Sequence, residues 1–577
     1  MRPSDRAASR STVLWIAVTL AVSALLQCAP LLLHGPLPLG SDIFSTNHYL
    51  QGFMKAFGEG DWYPRWTDRT NQDLGAPSFV MFPPLTYYGA GTASWLMGSL
   101  ISGFKLYQLA LALAAALSFY ALARQWIGPG LPSALAAAVY LLLPYHLLDR
   151  YQRFAMSEST AFVFLPLILL FARRTILVGK PADFLGLTLA YAGLIYTHIV
   201  TALAFSLLMG PWLLWQMTGR WKEAPRLALA LAAGLTLAAP ALVPAVVEKS
   251  HANIAWNREM PNGDYRINFI FRDDLLPGIG IKDPVKPLVL KSAHSQLALA
   301  GIAAGFALAW TAASQRRRRN DILAMAAGCA AAYLLQLQIS TPLWMLVPEL
   351  PSIQFPWRFQ TIMVLTAALL AGFAMSAGWG RAGGAGASTG RLGRLLGPGG
   401  VLLAAAVAVN LWLAWQNAGM KPFSYDEAAA ANPGVVSWTE PAFTPVQFLG
   451  YRQFRYKPIE APPNGFVAGA GQVAVKSWES SRRRLRVVSA SGGTVSLRSF
   501  WFPGWVGTMD GAPLPLTPSP QMGLITFAAP AGSHEVSLWF GPTPVRRAAD
   551  VAGMAALVVT PLLAWGMRRR AAVPEGV

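Results

Sequence analysis

Apolar runs of about 20 residues recur along most of the chain. Coiled as an α-helix, a run of that length spans the roughly 30 Å hydrocarbon core of a bilayer. A helix also satisfies its own backbone hydrogen bonds, which lipid cannot do. Of the 577 residues, 54% are hydrophobic and 13% charged, against about 25% charged in soluble domains. The expected fold is therefore mainly α, a polytopic transmembrane helical bundle.

The periodicity places spans near 13–33, 107–124, 131–148, 160–172, 183–197, 199–217, 225–247, 293–313, 321–339, 357–379, 399–417 and 549–567. The opening "MRPSDRAASRSTVLWIAVTL" is charged and then apolar, like a signal peptide, but its apolar stretch runs on to Leu33 with no small-residue cleavage site. A retained first helix is expected.

Segment 84–104, "PLTYYGAGTASWLMGSLISGF", is long enough to cross. Charge decides against it. Basic residues outnumber acidic ones by 46 to 27, and arginines gather between spans at Arg173–Arg174, Arg220–Arg226, Arg316–Arg319, Arg381–Arg394 and Arg568–Arg570. If 84–104 lies in the outer interface, every cluster falls inside. The same pattern accounts for the net charge of +19 without a nucleic-acid partner. Residues 183–217 divide into two short helices with His198 at the outer turn.

Twelve spans result, in the inner (plasma) membrane with both termini cytoplasmic. Segments 34–106, 149–159, 248–292, 340–356 and 418–548 lie outside, and Gly-rich 382–400 is a cytoplasmic linker. Three parts are expected. Residues 1–417 form the transmembrane module with outer loop 34–106, residues 418–548 an outer β-rich domain, and residues 549–577 the last helix and a cytoplasmic tail. From about Gln472 the pattern alternates, as in "QVAVKSW", "TVSLRSFWF" and "HEVSLWF", with Asp510-Gly511 as a turn. This predicts a C-terminal extracytoplasmic β-sandwich. Cys28 and Cys329 both fall within apolar runs, where free buried thiols are expected and neither a disulfide framework nor a zinc site is available.

The first outer loop is rich in charge and aromatic side chains. Ile43, Phe44, Tyr49, Leu50, Phe53, Met54 and Phe57 recur at helical spacing, predicting an amphipathic helix on the outer leaflet with Asp42 at its start. Two roles fit Asp42: a helix cap, worth about 1 kcal/mol, or a general base at the water–lipid boundary. The next outer turn, "LLDRYQRFAMSEST", holds Asp149, Arg150, Arg153 and Glu158, either as a solvated turn or as the flank of a shared cavity. His198 in "YTHI" is a structural residue or a polar contact. Arg358 in "PSIQFPWRFQ" snorkels from an aromatic belt or binds a lipid phosphate. The aromatic loop 62–88 anchors at the bilayer surface or stacks on sugar rings.

Asp42 after the first helix, then "DWYPRW" and "LGAPSFVMFPPLTYY", resembles the first outer loop of bacterial GT-C-type membrane glycosyltransferases. It is similar in particular to a subgroup labelled 6-pyruvoyl-tetrahydropterin-synthase-related. That label is nominal, since a soluble pterin enzyme has no use for twelve spans. "DRYQRFAMSES", "YTHI", "QFPWRF" and the tail "GLITFAAPAGSHEVSLWFGPTP" extend the resemblance over nearly the whole chain.

It implies a GT-C-like bundle and transfer of a sugar from a polyprenyl-phosphate donor to a glycan, lipid or protein acceptor of the cell envelope. It further implies Asp42 as base and Asp149 or Glu158 as the second acidic site. Such a reaction also needs positive charge for the departing phosphate, for which Arg150, Arg153 and Arg358 are the candidates. His48 and His198 would make polar contacts. Many relatives carry an acidic pair in the first loop, whereas "SD" stands alone here. A divalent cation near Glu158 or Asp149 is the one cofactor left open. Transporters place ionisable groups at mid-bilayer, whereas these acids lie at the outer surface. A non-catalytic scaffold or glycan-binding protein is the other alternative.

Overall fold

The computed structural model describes residues 3–254, 263–271, 285–379, 398–419, 421–431, 443–448 and 461–571. Most of the 382–400 linker and the Arg381–Arg394 cluster lie outside the described residues. Eight described helices are long and apolar enough to cross a membrane, and up to eleven spans result if each of three bent pairs counts as one. The expected twelfth, Pro181–Thr197, has 17 residues.

The bends are local chemistry. Leu131–Leu142 and Pro144–Arg153 meet at 46°, and Trp221–Leu237 and Ala239–His251 at 71°. Pro144 and Pro240 lie at those two breaks, and each lacks the N–H that would continue the helix. A third pair, Arg316–Leu334 and Gln338–Leu346, turns through 90°.

Segment 84–104 is broken. The helix Leu85–Met97 has 13 residues, about 20 Å of rise and too short to cross alone. Gly98 then adopts a left-handed conformation at φ 62°, and the Ser99 hydroxyl accepts from Ser102 N–H to start Leu100–Trp126.

The helix Ile43–Gly58 forms as its spacing requires. Its apolar face is not spread on lipid, however. Tyr49, Leu50 and Phe53 are buried with Phe79, Tyr87, Phe104 and Phe154 in one cluster, because the broken segment and the second outer turn supply protein surface there. Both cysteines are buried and free.

Two antiparallel sheets follow, built from nine strands: β3 Gly465–Gly469, β4 Gln472–Trp478, β5 Arg482–Ser489, β6 Gly493–Phe500, β7 Trp505–Met509, β8 Ala512–Leu514, β9 Thr517–Pro518, β10 Leu524–Ala529 and β11 Gly532–Phe540. A separate antiparallel pair, β1 Leu37–Pro38 and β2 Phe423–Tyr425, joins the segment after the first helix to the one after Pro398–Gly419. One sheet has the order β3-β6-β10-β9 and the other β4-β5-β11-β7-β8. Leu485 and Val487 of β5 and Val536 and Leu538 of β11 join Val495, Leu497, Ile525 and Phe527 of the first sheet in a single core. On β5 the alternate residues Arg482, Arg484 and Arg486 are exposed, as the two-residue period demands.

The outer loop fastens this domain to the bundle. Trp66 is fully buried, its ring 5.3 Å from Trp505 and 5.0 Å from Phe540. Gly75 closes the loop at φ 81°, where a Cβ would come within 2.5 Å of the Trp66 ring. Glu59 accepts from Ser480 N–H at 2.7 Å. The last helix is tied in alongside: Arg65 grips Asp550 through two bonds of 2.5 and 3.0 Å, and Arg546 grips Glu248 at 2.7 Å while donating to Pro503 O at 2.7 Å.

Trp66→Ala is expected to remove about 3–5 kcal/mol of this anchoring. The two-sheet domain would then become protease-sensitive below the temperature at which the helices melt. Equal sensitivity in the variant and the parent would show that the polar ties suffice.

Candidate functional site

A cavity of about 720 Å³ is lined by Asp42, Arg153, Glu158, His198 and Arg358, from four separate parts of the chain. Backbone geometry brings the first two together. Residues Leu148–Arg153 form a π-turn that ends at Phe154 with φ 58°. Its carbonyls accept from the first outer loop: Ser41 N–H bonds Gln152 O at 3.1 Å and Asp42 N–H bonds Arg153 O at 2.7 Å. Gly40 permits the approach, since a Cβ there would lie 2.7 Å from the Arg153 carbonyl carbon.

Asp42 precedes Ile43–Gly58 but makes no side-chain cap hydrogen bond. Its side chain is 42% exposed, with Oδ2 3.8 Å from Arg153 Nη2. The capping role therefore lacks its defining bond. Arg153 Nη1 donates to Asp149 at 2.7 Å and to Glu158 at 2.8 Å. Tyr145 donates its hydroxyl to the other Glu158 oxygen at 2.8 Å. Glu158 lies in the first turn of Met156–Leu177, where the helix dipole favours a carboxylate.

Arg358 reaches Glu158 at 3.7 Å and donates to Ile353 O at 2.7 Å, with its guanidinium 5.0 Å from the centre of the Phe355 ring. His198 separates two helices, and its Nδ1 lies 2.7 Å from Thr201 Oγ1. Apolar walls come from Ile199, Val200, Leu203 and Val246.

Residues 79–417 match the family described as 6-pyruvoyl-tetrahydropterin synthase related domain, membrane protein. The chain belongs to this family. It is a membrane protein, and the match takes in Arg153, Glu158, His198 and Arg358, with Asp42 and the two-sheet domain outside it.

Solved structures similar to this family member include the mycobacterial arabinofuranosyltransferase AftD (13% identity, TM-score 0.45, 92% of this chain and 40% of that one). Another is the Archaeoglobus fulgidus oligosaccharyltransferase (12%, 0.44, 78% and 62%). A third is ArnT from Cupriavidus metallidurans bound to undecaprenyl phosphate (16%, 0.26, 63% and 78%). The chain spans less than two thirds of the length of the first two. Among curated proteins nothing matches.

Within this member of the family, three expected site residues lie away from the cavity lining. Arg150 turns inward, its Nη1 donating to Gln108 O at 3.0 Å and to Cys28 Sγ at 2.8 Å. Asp149 is fully buried behind Arg153 and accepts from Ser159 at 3.3 Å. His48 is buried beside Tyr49, the ring centroids 6.2 Å apart.

Tyr87 of the aromatic loop 62–88 also lines the cavity, and the charged lining residues that the sequence reading passed over are Lys249 and Glu349. Lys249, in "VVEKSH", comes just after an apolar helix, as Asp149 and Glu158 flank theirs. That shared position was the available signal.

The donor set does not suit a divalent cation. Arg153 already occupies the space between Asp42, Asp149 and Glu158 that a cation would need. No group of three His, Cys, Asp or Glu side chains placed to hold a metal occurs among the described residues.

Proposed function

We propose that this membrane protein is a glycosyltransferase. It moves a sugar from a polyprenyl-phosphate carrier to a hydroxyl of an envelope glycan, lipid or protein at the outer face of the plasma membrane, with Asp42 as general base. In this reading the chain crosses twelve times with both termini cytoplasmic, and the two sheets form an extracytoplasmic β-sandwich.

The observation that carries the proposal is the cavity itself. A carboxylate released from capping duty shares it with Arg153, Glu158, His198 and Arg358. An acceptor hydroxyl oxygen attacks the anomeric carbon, and its proton passes to the Asp42 carboxylate. The bond from that carbon to the phosphate oxygen breaks, and the phosphate leaves with the electron pair.

Phosphate leaves readily but accumulates negative charge, so cations contribute most where water is scarce. Arg358 and Lys249 are the phosphate ligands in this scheme. Arg153 is committed to carboxylates and acts as a positioning residue, holding Glu158 and facing Asp42. The apolar wall along Ile199–Leu203 suits a lipid-borne donor.

The test uses purified full-length protein, synthetic polyprenyl-phosphate sugars carrying a radiolabel, and an envelope fraction as acceptor. Wild type should transfer label, and Arg358→Gln should reduce the rate roughly 10²-fold, the usual cost of losing one electrostatic contact to the transition state. A variant as fast as wild type removes Arg358 from the phosphate site. Wild type that transfers from none of the carriers rejects the reading.

A further inference from the structure

The helices that bear the candidate site carry a second polar region at their opposite ends. Glu158 opens Met156–Leu177 and Arg173 lies in its last two turns. His198 precedes Ile199–Gln216, whose penultimate residue is Trp215. Fifteen to seventeen residues at 1.5 Å each put about 22–26 Å between the two regions, close to the hydrocarbon thickness.

At this far end two adjoining hollows of about 440 and 510 Å³ share Arg316, Arg317 and Asp321 as walls. Their lining brings together five guanidinium groups, those of Arg173, Arg220, Arg316, Arg317 and Arg318, with the single carboxylate of Asp321. Arg173 takes that carboxylate at 2.7 Å through Nη2. Arg173 is only 6% exposed and lies over the Trp126 ring at 4.2 Å. Its Nη1 is buried without a hydrogen-bond partner among the described residues.

A run of surface arginines needs no ligand, because water serves each one. A buried charged donor is different, since its lost hydration is recovered only by an acceptor. The hollow offers that donor beside three exposed arginines whose planar forks match phosphate oxygens. Trp126 and Trp215, which line it, stand at the ends of their apolar helices, the positions where membrane proteins place aromatic side chains near the headgroups.

We propose that this basic hollow, on the membrane face opposite the candidate site, binds a phosphate group carried by an anionic phospholipid headgroup or by free phosphate. Basic pockets between membrane helices recognise such headgroups by the same charge chemistry. The proposal is independent of the glycosyltransferase reading.

The test is native mass spectrometry of the full chain in neutral detergent with phosphatidylglycerol, phosphatidylcholine as the uncharged control, and a thermal-shift arm with inorganic phosphate. Wild type should retain one phosphatidylglycerol about tenfold more tightly than phosphatidylcholine, and Arg316→Gln with Arg317→Gln should abolish the difference. If free phosphate is the occupant, inorganic phosphate should raise the melting temperature of wild type but not of the double variant, with no lipid preference.

These arginines also fix orientation in the membrane. Arg316→Lys with Arg317→Lys therefore serves as the second variant, keeping the charge while losing the forks, and should lose part of the discrimination. Wild type and both variants indistinguishable with either probe overturns the proposal.

Discussion

Asp42→Asn is expected to reduce glycosyl transfer by about 10³-fold, within the range lost when a general base is removed, while protein level and melting temperature stay at wild-type values. The substitution separates two roles that most replacements confound. Asparagine caps helices as well as aspartate does, so a residue needed only to start Ile43–Gly58 would survive the change. It cannot take a proton from a hydroxyl. A loss of about 10³ corresponds to roughly 4 kcal/mol of transition-state stabilisation, well above the ~1 kcal/mol of a cap.

Asp42 makes no side-chain bond to its helix, remains 42% exposed and lies 3.8 Å from Arg153. Envelope glycan labelling in a strain carrying only the Asn variant is the readout in cells, and the radiolabel assay is its counterpart in vitro. Normal labelling with normal expression would remove Asp42 from the chemistry.

Much of this arrangement was readable from residue order, for identifiable reasons. Apolar runs and arginine clusters are set by the bilayer, which acts on every span alike, so the helical bundle follows from run length; the break of 84–104 at Gly98 does not, since that segment is long enough to cross. The strands after Gln472 follow from a period of two. Asp42, Arg153, Glu158, His198 and Arg358 stand out because polar and charged groups sit at the ends of apolar spans, in stretches that resemble a known family.

What could not be read was direction. Arg150 and Arg153 stand three residues apart in the same turn, yet one points to Cys28 and the other into the cavity. That choice comes from the π-turn and the left-handed Phe154, neither of which has a compositional signature. The apolar face of Ile43–Gly58 likewise looked bound for lipid. Its protein partners, Phe79, Tyr87 and Phe154, are scattered over more than seventy residues, so no local window holds them. Trp66 joining the β-domain core from 400 residues away is the same limitation in larger form.

Arg153→Met should destabilise the bundle by roughly 3–5 kcal/mol, as expected when one partner is removed from a buried charge network. Arg153 is 6% exposed, Asp149 is fully buried and Glu158 is 1% exposed. Glu158 would keep Tyr145 at 2.8 Å and Arg358 at 3.7 Å. Among the described residues the Asp149 side chain would keep only the Ser159 hydroxyl at 3.3 Å, so Asp149 is where the penalty concentrates. Against a usual total of 5–15 kcal/mol, a loss of that size should lower the amount of folded protein recovered in detergent and the melting temperature together.

Arg153→Lys should fall between, because an ammonium is a point charge and does not fork to two carboxylates. The informative variant combines Arg153→Met with Asp149→Asn and Glu158→Gln. Removing the Arg153, Asp149 and Glu158 charges together relieves most of the unpaired-charge penalty, but Arg358 then loses its carboxylate at 3.7 Å, so this triple change should regain part of the melting temperature. It should not regain transfer, since Asp42 would then face no guanidinium from the second outer turn. A triple variant that both folds and transfers would assign Arg153 to stability alone. A single Arg153→Met variant as stable as wild type would mean that the carboxylates find other counter-charges once it is gone.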